Sequence, residues 1–516
     1  MMINVGLTIF LIVVLLAAAH VMFRPPSLKG RTDSKTVNAS LATPLGRLAL
    51  APPPGKKDRS GIVPLLDGPD AFATRGALIR AAEVALDVQY YIWQRDATGL
   101  ILLDELRKAA ERGVRVRLLL DDNGITGLDA DLAALDALPG VEVRLYNPFI
   151  LRRPKLLGFA FDFTRLNRRM HNKSLTADGA VSILGGRNIG DVYFGFGEGV
   201  QFIDLDVVVV GPAATDIGTD FDRYWHSGSA HPIDRIVSGP DAAALDRLMQ
   251  DVGRAAASAE GRRYLEKLQG ASPIGALLSG QQVPEWTGVT LVSDDPAKGL
   301  GKAAARDLLF PQLMALLSRP AHSVDLVSAY FIPGRRFTKR LKDLAASGVR
   351  VRIMTNSQAA TDVVLVHSAY VRYRRRLLRS GAALYELRPD HALRGEPGRR
   401  GIAGPSRASL HSKTLAVDGE QIFIGSFNFD PRSFLLNTEM GVLIDSPRMA
   451  RTLANTFTER FSEASYVPEL TPTGGIVWCE AAADGARVRH DSEPGTNALS
   501  RLTMRLLGLL PIEWLL

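Results

Sequence analysis

The chain has 516 residues, enough for two or three domains, and its 46% hydrophobic and 22% charged content is that of a globular protein. Wholesale disorder, collagen and a coiled-coil rod are thereby excluded, and the single cysteine, Cys479, excludes a disulfide framework or a thiolate zinc site within one chain. The net charge of +8, from 62 basic and 54 acidic residues, favours anionic partners without choosing among phosphate esters, acidic lipid surfaces and nucleic acid.

In chain order, residues 1–23 contain no Asp, Glu, Lys or Arg, and the run from Val5 to Phe23 is almost wholly apolar. At 1.5 Å per residue, about 20 such residues span the roughly 30 Å of a bilayer's hydrocarbon layer. A cleaved signal peptide would carry a basic n-region, which is missing, so an uncleaved transmembrane anchor is expected. Arg24, Lys29 and Arg31 follow it and favour a cytoplasmic body. Residues 24–59 are Pro-rich without a periodic apolar face and read as a linker. At the other end, Leu499, Leu502, Leu506, Leu509 and Leu510 lie at helical spacing with Arg501 and Arg505 between them, within an extension over 466–516. That helix suits either a lipid interface or the protein's own core.

The body is a duplication, with one lobe over 60–235, a connector over 236–290 and a second lobe over 291–465. Gly113-Val114-Arg115-Val116-Arg117-Leu118 recurs as Gly348-Val349-Arg350-Val351-Arg352-Ile353. Each copy follows a helical stretch, and each helix follows a strand-like run that ends in aromatics, Tyr90-Tyr91 and Tyr330-Phe331. Strand, helix, strand predicts an α/β fold in which each lobe is a mostly parallel sheet between helices. Further along, His171, Lys173, Asp178, Gly185-Gly186 and Asn188 match His411, Lys413, Asp418, Gly425-Ser426 and Asn428. Both read H-x-K-x4-D-x6-G-[GS]-x-N, and the histidines are 240 residues apart.

His and Lys alternate, so on a strand both side chains leave one face. A turn at Asp178-Gly179 or Asp418-Gly419 and a returning strand bring the glycines and Asn back beside them. One imidazole, one ammonium, one carboxamide and close backbone amides, twice, suit a phosphoryl group. A neutral imidazole attacks phosphorus while a second protonates the leaving oxygen, so the two halves should share one site. An attacking imidazole needs its other nitrogen oriented by an acceptor. Asp204 and Glu439, which follow the two motifs at matching places, are the expected orienting carboxylates, with Asp206 in reserve for the first half. Asp178 and Asp418 lie too far along the strand to join them and read as turn residues. No metal is expected, because H-x-K offers one ligand beside a repelling ammonium. His226, His231 and His367 have no counterpart in the other half and read as structural or surface residues.

The two motifs resemble those of the phospholipase D superfamily. The strings Arg169-Met170-His171-Asn172-Lys173-Ser174, Gly185-Gly186-Arg187-Asn188 and Phe429-Asp430-Pro431-Arg432-Ser433, with Asn437-Thr438-Glu439, are similar to its bacterial cardiolipin synthase branch, closest to the C-type members. The resemblance covers roughly residues 60–460 and implies a two-lobed α/β/α sandwich with one metal-free, cofactor-free site at the pseudo-twofold interface. It implies catalytic His171, Lys173, Asp178, His411, Lys413 and Asp418. His171 would form a phosphohistidine and His411 would act as acid and base. Asn188, Asn428, Ser426 and Gly186 would hold the phosphate, Gly186 standing where the general motif has Ser. The implied reaction joins phosphatidylglycerol to a second phospholipid, phosphatidylethanolamine or phosphatidylglycerol, at the inner membrane of a bacterium. No nucleic acid is expected, and an accessory protein is left open. The basic stretch Tyr370–Arg379 reads as a face for an anionic leaflet or as a solvated helix, and the loop from Arg394 to Ser409 as a lid or a plain surface loop. Hydrolysis by the same chemistry, a nuclease and a non-enzymatic membrane scaffold are the rival functions.

Overall fold

A computed structural model describes residues 2–195, 200–239, 243–270, 272–389, 408–482, 486–510 and 513–515. The lid reading of Arg394 to Ser409 falls almost wholly outside them.

The first lobe is built on strands β1 (Ser60–Leu65), β2 (Ala85–Tyr90), β3 (Arg115–Asp121), β4 (Val141–Tyr146), β5 (Ser174–Ala177) and β6 (Val181–Gly185). Strand β7 (Gln201–Ile203) stands apart, and β8 (Asp206–Val210), β9 (Ala230–Pro232) and β10 (Glu285–Thr287) complete the sheet, in the order β10-β1-β8-β6-β5-β2-β3-β4-β9. The second lobe uses β11 (Val289–Ser293), β12 (Ser323–Ser328), β13 (Arg350–Asn356) and β14 (Ala383–Leu387). After β15 (Ala408–Leu410) come β16 (Lys413–Val417), β17 (Gln421–Gly425), β18 (Met440–Ile444), β19 (Ser465–Leu470), β20 (Ile476–Ala481) and β21 (Arg487–His490). Their order, β11-β18-β17-β16-β12-β13-β14-β19-β20-β21, repeats that of the first sheet from β1 to β9.

The sheets are mixed, which corrects the expectation of mostly parallel ones. Parallel pairing within them is confined to β2-β3-β4 and β12-β13-β14, where helices cross between strands. The turns after Ala177 and Val417 are too short for a crossover, so β5-β6 and β16-β17 are antiparallel hairpins. Asp178 and Asp418 sit in those turns at φ 51° and 53°, in the left-handed region that Asp tolerates.

Three boundaries also differ from the sequence reading. Residues 24–59 are docked on the first lobe rather than forming a free linker. Buried Arg117 donates to Ser34 O (2.6 Å), buried Arg144 donates to Thr32 O (2.8 Å), and the Thr36 amide donates to Asp222 (2.9 Å). The segment carries no helix or strand up to Thr43, and the helix that follows, Pro44–Leu50, buries Leu45 and Ala49 in the first lobe's core but is too short to show an apolar period. The connector ends in β10, which pairs with β1 and so belongs to the first sheet. The extension contributes β20 and β21 to the second sheet, and Glu493 holds buried Arg374 (2.7 Å).

The lobes share a core. Leu184, Val207 and Val209 of the first pack with Ile424, Met440 and Val442 of the second, all essentially inaccessible. Strands β7 and β15 pair in parallel across the boundary. Helix Met2–Met22 is apolar and exposed along its described length, and long enough to cross a membrane.

Candidate active site

Strand β5 begins beside the end of β2, with Gln89 opposite Ser174, so His171 and Lys173 sit at the carboxyl end of the parallel strands. That is where α/β sheets open to ligands. β16 and β12 place His411 and Lys413 in the same way, with Ser328 opposite Lys413. Each motif's backbone is tied to the opposite lobe, His171 N donating to Thr438 O and His411 N to Ile203 O, both at 2.8 Å. Both imidazoles therefore line one cavity of about 330 Å³, together with Asn188 and Asn428.

Glu439 and Asp204, the expected orienting carboxylates, meet the histidines crosswise, each beside the histidine of the opposite half. His171 Nδ1 lies 2.7 Å from Glu439 Oε2, and His411 Nδ1 lies 2.5 Å from Asp204 Oδ2 and 3.0 Å from Lys413 Nζ. A carboxylate oxygen accepts, so each contact places the proton on Nδ1 and leaves Nε2 for chemistry. Asp206, the reserve for the first half, is instead committed to Arg75 (2.9 Å) and Arg187 (3.3 Å).

Glu439 is held by Ser426 Oγ (2.5 Å) and Ser433 Oγ (2.8 Å). The Ser426 hydroxyl is thus spent on a carboxylate, where the resemblance implied a phosphate contact. Gly186 has the matching role by absence. A Cβ there would lie 2.1 Å from Asp204 Oδ1, so Gly186 makes the room that the shorter acid needs. Gly with Asp in one half and Ser with Glu in the other are two solutions to the same placement.

Both lysines are buried, and Lys173 Nζ donates to His171 O (2.5 Å) and Lys413 Nζ to His411 O. Asn188 Nδ2 donates to Tyr193 Oη (3.0 Å) and its Oδ1 accepts from the Ile92 amide (3.2 Å). Asp178 and Asp418 stand apart from this cluster. Asp178 accepts the amides of Glu83, Val84 and Ala85, and Asp418 those of Ala321, His322 and Ser323. They cap the starts of β2 and β12, and β2 alone puts about 17 Å between Asp178 and the histidine end.

Sequence reasoning missed the aromatic frame. Tyr91 meets the His171 ring edge-on (centroids 4.9 Å apart), and Tyr193 and Phe202 flank His411 (5.2 and 5.0 Å). Tyr91 closes an aromatic run that was visible in the sequence, whereas Tyr193 and Phe202 carry no periodic signal. Tyr330 Oη donates to Asp362 (2.6 Å), and both line the cavity with Asp430 and Arg432. Of the unmatched histidines, His367 is buried against Glu493 (2.9 Å), and His226 lies 3.0 Å from Asp33.

The electrostatics break the symmetry of the motifs. Burial, then Lys173 and Lys413, hold His171 well below its ordinary 6.5; burial and Lys413 lower His411 as well, against the pull of Asp204. Burial lowers Lys173 to about 7 and raises Glu439 to about 7, the latter opposed by Lys173. Burial would raise Asp204 too, but His411 and Lys413 overcome it and hold the carboxyl below its usual range. His411 thus faces a firmly ionised partner, and His171 does not.

Two imidazoles converging on one cavity from duplicated lobes, each aligned by the other lobe's carboxylate, define an enzyme of the phospholipase D type. The chain belongs to the family described as cardiolipin synthase, PLD-like domain, whose model matches residues 77–225 and 313–461. It is 46% identical over 456 residues to cardiolipin synthase C of Escherichia coli, covering 88% of this chain and 96% of that one. A cardiolipin synthase of Staphylococcus aureus is 26% identical over 414 residues, 80% of this chain and 69% of that one. In fold the chain is similar to the crystal structure of phosphatidylserine synthase from Haemophilus influenzae, with a TM-score of 0.56 at 16% identity over 88% of this chain and 95% of that one.

Proposed function

We propose that this enzyme makes cardiolipin by phosphatidyl transfer, through a phosphohistidine. The observation that carries the mechanism is the crossed pair of His–carboxylate contacts at one cavity, in a chain of the cardiolipin synthase family. His171 Nε2 attacks the donor's phosphorus. The N–P bond forms as the P–O bond to the headgroup breaks, and His411 Nε2–H protonates the departing oxygen. His411 then takes the proton from a glycerol hydroxyl of phosphatidylglycerol. That oxygen attacks phosphorus, the P–N bond breaks, and cardiolipin leaves.

The electrostatic asymmetry supports this assignment of roles. A nucleophile must be neutral, and His171 is the imidazole held well below 6.5. An acid must charge, and although burial and Lys413 lower His411, ionised Asp204 opposes them, so of the two imidazoles His411 is the easier to charge. Lys173 and Lys413 bring positive charge to the phosphate, whose arrival in turn favours their protonated forms. Asn188 and Asn428, at the cavity wall, supply carboxamide donors to its oxygens.

The donor is a second phosphatidylglycerol or phosphatidylethanolamine, and helix Met2–Met22 anchors the body to the cytoplasmic face of a bacterial inner membrane. Membranes carrying the protein or its His171→Ala form should be given labelled phosphatidylglycerol with and without phosphatidylethanolamine. Cardiolipin from the intact protein alone is the expected product, and dependence on phosphatidylethanolamine identifies that lipid as donor. Phosphatidic acid without cardiolipin would make the enzyme a hydrolase and overturn the transfer.

A further inference from the structure

The chemistry above makes no use of several exposed apolar side chains on the elements that lead from the N-terminal helix to the cavity, and a chain of contacts joins those elements. It starts where the apolar N-terminal helix ends. Phe23 stacks on Phe161 (centroids 5.3 Å apart), and His20 Nδ1 lies 2.9 Å from Phe161 O. Phe161 belongs to helix Gly158–Leu166, beside which Leu156 is 75% exposed and on which Phe163 is 41% exposed. A helix that crosses a membrane leaves it where its apolar run stops. Phe23 therefore lies at the bilayer surface, and so does the helix packed against it.

That helix leads to the cavity. Its C-cap, Asn167, accepts on Oδ1 from Arg432 Nη1 (3.0 Å), and the same nitrogen donates to Leu515 O (2.9 Å). Arg432 and Leu515 both line the cavity. Two residues earlier, Glu513 is held by Arg372 (3.3 Å) and by Tyr373. Helix Ala498–Leu507 packs on helix Val364–Arg379 with Met504 buried, and it turns Leu502 and Leu506 outward at 52% and 57% exposure. Arg372, Arg375, Arg376 and Arg379 of the underlying helix are also exposed.

We propose that these elements form one membrane-binding face around the cavity mouth, seated on the leaflet that the N-terminal helix enters. The leucines enter the acyl boundary, the arginines meet lipid phosphates, and a phospholipid reaches the histidines sideways without leaving the bilayer. This rests on the membrane-anchored reading of the chain. A second copy of the chain is the poorer occupant, because it would set exposed arginines against their like.

The test uses the full chain with Cys479→Ser and one new cysteine, Leu156→Cys, Leu506→Cys or Val283→Cys, labelled with an environment-sensitive fluorophore. Val283 is 76% exposed but lies in the connector, outside this chain of contacts. In vesicles of phosphatidylglycerol and phosphatidylethanolamine with a quencher on the acyl chain, labels at 156 and 506 should be quenched several-fold and the label at 283 should not. In parallel, the Leu502→Glu/Leu506→Glu variant should raise KM for vesicle lipid at least tenfold. It should leave kcat on dispersed short-chain phosphatidylglycerol unchanged. Unquenched labels, energy transfer between copies without lipid quenching, or equal loss on both substrates would overturn the face. Quenching needs no turnover, so a chain that is quenched but makes no cardiolipin would sink the proposed reaction and leave the face standing.

Discussion

At the scale of single residues, the site depends on where two carboxylates stand. Glu439→Gln should slow formation of the phosphohistidine at least a hundredfold, because an amide does not stabilise the charge that develops on His171. Rapid-quench trapping of labelled lipid on the protein measures this, and an unchanged trapping rate would remove Glu439 from the first step. Gly186→Ser places into the first half the residue that the second half uses, yet it should cut kcat at least tenfold, since its Cβ displaces Asp204. The acid limb of the pH profile follows from Glu439. Burial raises its carboxyl to about 7, so the carboxylate that His171 needs is lost as pH falls through that value, and kcat/KM should decline below pH 7, before His171, held well below 6.5, takes a proton. Lys173 carries a folding cost. Its folded pKa of about 7 is below the ordinary 10.5, so the unfolded chain binds more protons between those values. The cost is full below pH 7 and fades as pH rises toward 10.5. Lys173→Met should therefore abolish activity while raising Tm at pH 7 by roughly 2–4 °C, read by calorimetry.

At the scale of elements, the extension over 466–516 is an edge of the second sheet that a buried ion pair clamps. Arg374 is fully buried between Glu386 and Glu493, both at 2.7 Å. Glu493→Ala strips one partner from a buried charge, at a cost of about 3–5 kcal/mol. Hydrogen exchange should show β20, β21 and helix Ala498–Leu507 losing protection ahead of the rest of the chain. Burial alone would raise Glu493, but Arg374 and His367 hold it below the usual carboxylate range. Its contribution is complete above the ordinary Glu pKa and is lost as pH falls, so the wild-type extension should loosen first in acid.

At the scale of the whole molecule, the two lobes make one enzyme. Each histidine takes its acid and its backbone acceptor from the opposite lobe, and the shared core joins the sheets. The lobes produced as separate chains should each be inactive, and co-expression should restore cardiolipin formation in a co-purifying pair.

What the sequence determined by itself is the set of parts. Strictly spaced repeats report a duplication, and residue types report chemistry, so the lobes, both H-x-K pairs, the two acids and the apolar N-terminal helix were all legible. Pairing across the molecule was decided only in three dimensions, because nothing local distinguishes which histidine an acid will meet. For the same reason Tyr193, Phe202 and Asp362 left no trace in the pattern, and residues 24–59, anchored by buried arginines through the backbone and by one short helix that buries Leu45 and Ala49, looked like a linker. Even the symmetry of the motifs is a property of the sequence alone. Burial and the placement of Asp204 against Glu439 make one imidazole easier to charge than the other, and charge depends on surroundings that a one-dimensional spacing does not contain.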